Sequence, residues 1–484
     1  MTTWRSLPGL LAILAALGAQ AQTLGTEDAR HLLARTGFGA SPGEIAQLAP
    51  LTREEAVDRL LRGARRAALT PLPAEVLEYV APRSIRSLGE PEREAFARRQ
   101  ARIGARLRAW WVGEMLASPS PLTERMTLFW HNHFVSSQQK VRSARLMALQ
   151  NATLRAHALG SFADLLHAVA KDPAMIVYLD TAASRRGQPN ENFAREVMEL
   201  FTLGEGHYDE RDVKEAARAF TGWSVDADTG AFRWRPLIHD DGIKTVLGRS
   251  GAFDGDAVLD ILLAQPATAE LVVARLWREF VSPRPDPREA ARIAARFRDS
   301  GYEIKVALRE LLLSAAFWAR ENRGVLTKSP VDLVAGTLRS LEIEIGDALP
   351  FALVLRSLGQ DLFAPPGVKG WPGGEAWINT ATLPGRSQFL DRLLRAAGPG
   401  RGACPTPQAA AAQADADEPM RVRMRLGLDC LDFDANAWMA RTERLGLSAR
   451  LVMLAGAPAG PIDEAGDAAA RLRALVLDPM YQLR

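Results

Sequence analysis

Apolar residues recur at three-to-four spacing through most of the chain, and the breaks fall at Gly, Pro, Asp or Ser, residues that cap or stop helices. The pattern predicts an all-α protein. Short helices are expected over 28–34, 42–48 and 53–61, the first two joined by the tight Gly37-Phe38-Gly39 turn, and a long one over 91–116, where Pro91 suits a first turn. Amphipathic stretches at 257–263, 268–280, 288–298, 304–313 and 331–341 extend the helical reading. One interval departs from it: 231–237 and 244–247 are aromatic or β-branched runs around His239-Asp240-Asp241-Gly242, which predicts a small β-hairpin. Two stretches carry no period, the Gly-, Pro- and Trp-rich 360–386 and the polar 398–419.

The N-terminus has the form of a secretory leader: Arg5, an apolar run over 7–18, then Ala19-Gln20-Ala21, a small-x-small site with cleavage expected after Ala21. The run is short for a membrane span, and Gln22 stands where a lipid-anchored protein has cysteine. No later segment is long and apolar enough to span, so the mature chain is expected in the periplasm or secreted. The remainder, about 460 residues, exceeds one ordinary core. The expected organisation is an N-terminal helical region 22–120, a central one 121–250, a second 251–400, a flexible loop 401–419 and a C-terminal helical region 420–484. Lys plus Arg number 60 against 57 acidic residues, which gives no electrostatic ground for nucleic acid as a partner. In an oxidising compartment the two cysteines, Cys404 and Cys430, are expected to pair across the flexible loop.

Four places carry candidate chemistry. Along 120–135, Met126, Phe129, Trp130, His133 and Phe134 share one helical face, while His131 points about 200° around the axis from His133. A continuous helix therefore keeps the two histidines off one metal; a helix ending near Trp130 and continuing extended would make them a bidentate pair. In the second segment, 190–200, Asn190 is a natural cap and Phe193, Val197, Leu200 and Phe201 form the buried stripe. Glu191, Arg195 and Glu199 align at i, i+4 and i+8, either as an ion-pair ladder or, with Glu196, as a carboxylate face turned to a cleft. His207 stands in the loop beyond, and His239 with Asp240 in the hairpin turn, where the aspartate also suits a backbone-capping role. Last, the 365–380 run holds so many Gly and Pro residues that it must be a shaped loop, with Trp371, Trp377 and Asn379 as candidate binding residues; the tryptophans serve either as a wall on which a sugar stacks or as plugs of the core, with one of the two expected to be structural.

Taken together, the strings FWHNHF, NENFAREVMELFTLGEGHY, HDDGIKTVLG and GVKGWPGGEAWINTATL, in this order, resemble the bacterial family catalogued as domain of unknown function 1800. The resemblance runs from His31-Leu32-Leu33 through Arg386, and departs visibly at Pro384, where the family pattern has leucine. It implies an exported protein without an assigned activity, often encoded beside an exported sulfatase-like protein, and it supplies no catalytic residues.

From chemistry alone, the expected function is a metal-dependent hydrolase acting outside the cytoplasm. His131, His133, Glu191, His207, His239 and Asp240 are its candidate ligands for a divalent metal, Glu196 or Glu199 its base, and Arg195 an anchor for an anionic substrate. Two alternatives stand beside it: a binding or assembly protein for the sulfatase-like partner or a surface polysaccharide, and a metal-dependent oxidoreductase. Haem attachment lacks a C-x-x-C-H motif.

Overall fold

The computed structural model describes residues 22–81, 84, 87–396, 431, 433–462 and 466–484. The expected leader and the Cys404–Cys430 pair lie outside the described residues. The protein is 61% helical, with two small two-stranded sheets among the described residues, in keeping with the apolar periodicity.

Helix starts follow local chemistry. Ser41 and Glu44, Thr52 and Glu55, and Ser329 and Asp332 form reciprocal capping boxes at the starts of Pro42–Leu48, Arg53–Arg62 and Pro330–Ser340. Prolines fill first-turn positions, where their missing N–H costs nothing, in Pro121–His133, Pro173–Tyr178, Pro266–Phe280 and Pro287–Asp299. The long helix Glu90–Ala117 is solvated over its charged first half and becomes buried where Ile103, Leu107, Trp111 and Met115 recur every four residues. The helix Thr382–Ala396 begins inside the stretch that lacks a period, with Pro384 in its first turn.

The β prediction needs correction. The two runs do not pair with each other: Phe232–Trp234 pairs antiparallel with Trp223–Val225, and Lys244–Val246 pairs with Arg249–Gly251. The intervening His239–Gly242 segment is tied to the Thr221 turn and to Arg218 instead of closing a hairpin. Two tight ribbons thus satisfy the backbone locally, one of them turning through Leu247 and Gly248, both at positive φ.

One apolar core runs from Leu24 to Tyr481. Through it passes the helix Pro121–His133, packed against Ala144–His157 and joined to it by the buried pair Glu124 and Arg155. Among the described residues no single helix is long and apolar enough to cross a membrane.

Candidate functional site

The helix Pro121–His133 runs unbroken through both histidines, so they face apart and the bidentate pair is not formed. His133 is buried with both nitrogens engaged: Nδ1 lies 2.9 Å from Arg275 Nη1, and Nε2 lies 3.1 Å from the Phe201 carbonyl. Since guanidinium only donates, Nδ1 accepts and Nε2–H donates, which fixes one neutral tautomer. Burial first, then Arg275, holds its pKa well below the usual value. His131 sits among the rings of Trp111, Phe363 and Trp371, with centroids 5.5, 5.6 and 5.7 Å away, and burial pushes its pKa down to about 3. Its Nε2 and the Trp371 Nε1–H have no hydrogen-bond partner among the described residues.

Asn132, between the histidines, accepts a 2.7 Å hydrogen bond from the Trp371 backbone N–H. The loop lies so close that a Cβ on Gly370, at φ +78°, would fall 2.3 Å from Asn132 Oδ1. Only glycine allows both the angle and the approach. This seating explains why two strings far apart in sequence belong together, and it delivers Lys369 to the glutamate segment.

That segment is α-helical only over Asn192–Glu196 and becomes a π-helix over Val197–Thr202. Thr202 Oγ1 donates to Val197 O at 2.5 Å, and the Leu203 N–H to Met198 O at 2.8 Å. The i→i+5 register widens the turn by a residue, and it corrects the expected i, i+4, i+8 line. Glu191 and Arg195 do pair, at 3.2 Å, but Arg195 is completed by Glu210 at 2.6 and 2.9 Å, not by Glu199. Held between two carboxylates, Arg195 has its hydrogen bonds committed to Glu191 and Glu210.

Glu199 is turned elsewhere. It accepts a hydrogen bond from the Tyr208 hydroxyl at 3.2 Å and stands 3.8 Å from Lys369 Nζ. Lys369 also comes within 3.9 Å of the exposed Glu205. Glu196, half-buried, has its pKa raised by burial and then by Glu199, against the opposing pull of Lys369 and Arg195. The Tyr208 hydroxyl is pushed up to about 12 by burial and by Glu199, and Tyr178 is raised by burial and by Glu196. Two carboxylates three residues apart, two protonated phenols and the Lys369 side chain therefore lie together at a half-buried surface patch. Unequal surroundings around paired carboxylates are what separate an acid from a base.

The other expected site residues lie apart from this patch. His207 is exposed in the turn before Tyr208. His239 Nδ1 donates to Thr221 O at 2.8 Å beneath the Trp234 ring, and Asp240 is gripped by Arg218 at 2.8 and 3.1 Å, which pulls its pKa down to about 2. Asp240 also accepts from the Gly242 N–H, while the buried Lys244 donates to the Asp240 and Gly242 carbonyls. The HDDGIK string is thus a self-satisfied corner. Trp371 and Trp377 are 4% and 7% exposed, so neither offers an open face to a sugar. Asn379 caps the next helix by accepting from the Ala381 and Thr382 N–H groups. The six expected metal ligands are not brought together, and among the described residues no group of three or more His, Cys, Asp or Glu is placed to hold a metal ion. Lys369, Tyr178 and Asn132 escaped residue-by-residue reading; the GVKGW and FWHNHF strings were the available signal.

Residues 31–478 match the profile of a family described as Protein of unknown function (DUF1800), so the chain belongs to that family. No curated protein and no solved structure matches it.

Proposed function

We propose that this chain, as a member of the DUF1800 family, is an exported acid–base enzyme of the hydrolase class whose working carboxylates are Glu196 and Glu199. The observation that carries the reading is the pair set on either side of the α-to-π junction: Glu196, the last α-helical residue, raised by burial and by its neighbour, and Glu199 in the π-turn, held by Tyr208 and faced by Lys369. π-turns interrupting α-helices recur at functional sites because they re-aim side chains. At such a patch Glu196 takes a proton from water as the water oxygen attacks the substrate, then returns it to the departing group, while Lys369 steadies the negative charge that develops. The reading routes chemistry through protons because the cation that meets Glu199 is this lysine.

A second reading, as a contact protein for a sulfatase-like partner or a polysaccharide, is favoured by Leu237 and Ile243, which are 93% and 66% exposed on either side of His239-Asp240. Apolar side chains so open are suited to a partner surface. The discriminating experiment is turnover of chromogenic carboxylic, phosphate and sulfate esters and glycosides, with and without chelator, by wild type, Glu196→Gln and Glu199→Gln. Hydrolysis reduced by about 100-fold or more in Glu196→Gln, with circular dichroism unchanged, supports the enzyme reading. Hydrolysis equal in all three folded proteins, or no turnover by wild type, counts against it.

A further inference from the structure

A second, unrelated cluster lies in the core where the first helix, Gly25–Thr36, the helix Pro330–Ser340 and residues 481–484 meet. Six cationic side chains converge there: Arg30, Arg35, Arg125, Lys328, Arg386 and Arg484. The electrostatic influence of each on its neighbours ties them into one group: Arg35 feels Arg30, Arg125 and Arg484, and Lys328 feels Arg30, Arg386 and Arg484. The five arginines are at most 7% exposed. The carboxylates that meet them are Asp332, which is buried, and Glu279, which is half-buried. The mostly exposed Glu27 stands 4.0 Å from Arg323 and acts on Arg30 from a distance. The positive charges are thus in excess. Burial lowers the Lys328 pKa to about 7, but guanidinium does not shed its proton, so the arginines still outnumber the carboxylates, and an uncompensated buried charge is costly.

The donors are not all used. Arg125 is spent on Gly37 O, Glu279 and Asp332, and Asp332 is met by Arg125, by Ser329 and, at 3.4 Å, by Arg484 Nε. Arg484 Nη2 goes to Glu279, but its Nη1 has no hydrogen-bond partner among the described residues, and neither has Arg386 Nη1. Lys328 Nζ rests 3.5 Å from the centre of the Tyr481 ring. Arg30, Lys328, Ser340, Tyr481 and Arg484 line a cavity there, with Asp332 on one wall. It has room for a single water-sized guest, which a monatomic anion matches.

We propose that this cavity is a binding site for one halide-sized monovalent anion, chloride in the first instance, held by Arg484, Lys328 and Arg30 as a structural ion that locks residues 481–484 onto the first helix. The test is a crystal of the full chain grown in bromide, with anomalous scattering recorded at the bromine edge. A second arm follows thermal unfolding in sodium chloride against sodium gluconate at constant ionic strength, for wild type and Lys328→Met. The expected result is a bromine peak inside the cavity and a chloride-specific, saturable rise in Tm that Lys328→Met weakens. Bromine found only at the surface, with a Tm indifferent to which anion is present, overturns the proposal. The diffraction arm uses wild type alone, so a variant that fails to fold leaves the proposal testable.

Discussion

Removing Glu124 should be among the most damaging single changes in the protein, and removing its partner as well should repair much of the loss. Glu124 and Arg155 are each 1% exposed in their side chains. Arg155 donates Nε and Nη2 to the two carboxylate oxygens at 2.7 and 2.8 Å, Trp111 Nε1 adds a third bond at 3.0 Å, and Arg155 Nη1 is taken by Asn151 at 2.7 Å. Glu124→Leu strands a buried guanidinium, and Arg155→Met strands a carboxylate with Trp111 as its remaining donor. Each should cost about 3–5 kcal/mol. The double variant Glu124→Leu/Arg155→Met strands neither charge, and replacement of a buried pair by apolar groups ranges from neutral to favourable. It should therefore lose less than either single variant, a large coupling in a double-mutant cycle. Urea unfolding followed by tryptophan fluorescence measures all four proteins. Single variants within about 1 kcal/mol of wild type, the size of a surface pair, would refute the argument, as would a double variant whose loss equals the combined single losses.

Gly370→Ala sets a Cβ against Asn132 at a positive φ, so it should cost about 1–3 kcal/mol in urea unfolding and reduce turnover by shifting Lys369 from Glu199. His133→Ala leaves the Phe201 carbonyl and Arg275 Nη1 without their partner, a loss of roughly 2–5 kcal/mol with the cavity included, read in the same assay. Asp172 is buried, and its pKa is raised by burial from 3.8 to about 7 despite hydrogen bonds from Met175 and Gln150. The folded state therefore binds a proton more tightly than the unfolded one. The resulting stability is complete below pH 3.8 and fades as pH rises toward about 7, a span equivalent to roughly 4 kcal/mol. Asp172→Asn keeps the cap without the charge, so its Tm relative to wild type should climb between pH 4 and 7; a constant difference would contradict the assignment.

The helices were legible because their causes are local: caps at Ser41, Thr52 and Ser329, first-turn prolines, and the four-residue recurrence of Ile103, Leu107, Trp111 and Met115. Strand pairing was not, since 231–237 and 244–247 carry β-propensity but nothing in their composition names a partner. The carboxylates were found as a pair, yet their surroundings were misjudged, because an α-helical register places Glu199 beside Arg195 and the π-turn does not. That turn is coupled to the tertiary bond between Phe201 O and His133, which helical periodicity cannot reveal. Lys369 arrives through the seating of Gly370 on Asn132, a contact between residues 239 positions apart for its neighbouring backbone bond. The same distance hid the burial of Trp371.

The account rests on Glu196 and Glu199 acting as an unequal, coupled pair, and a carboxyl titration tests that directly. With ¹³C-labelled glutamate, the Glu196 Cδ resonance can be assigned by its loss in Glu196→Gln and followed with pH. The account predicts a midpoint above 4.5, lowered in Glu199→Gln, where the like charge is gone, and raised further in Lys369→Met, where the opposing cation is gone. A midpoint at or below 4.5 that neither substitution moves would contradict it.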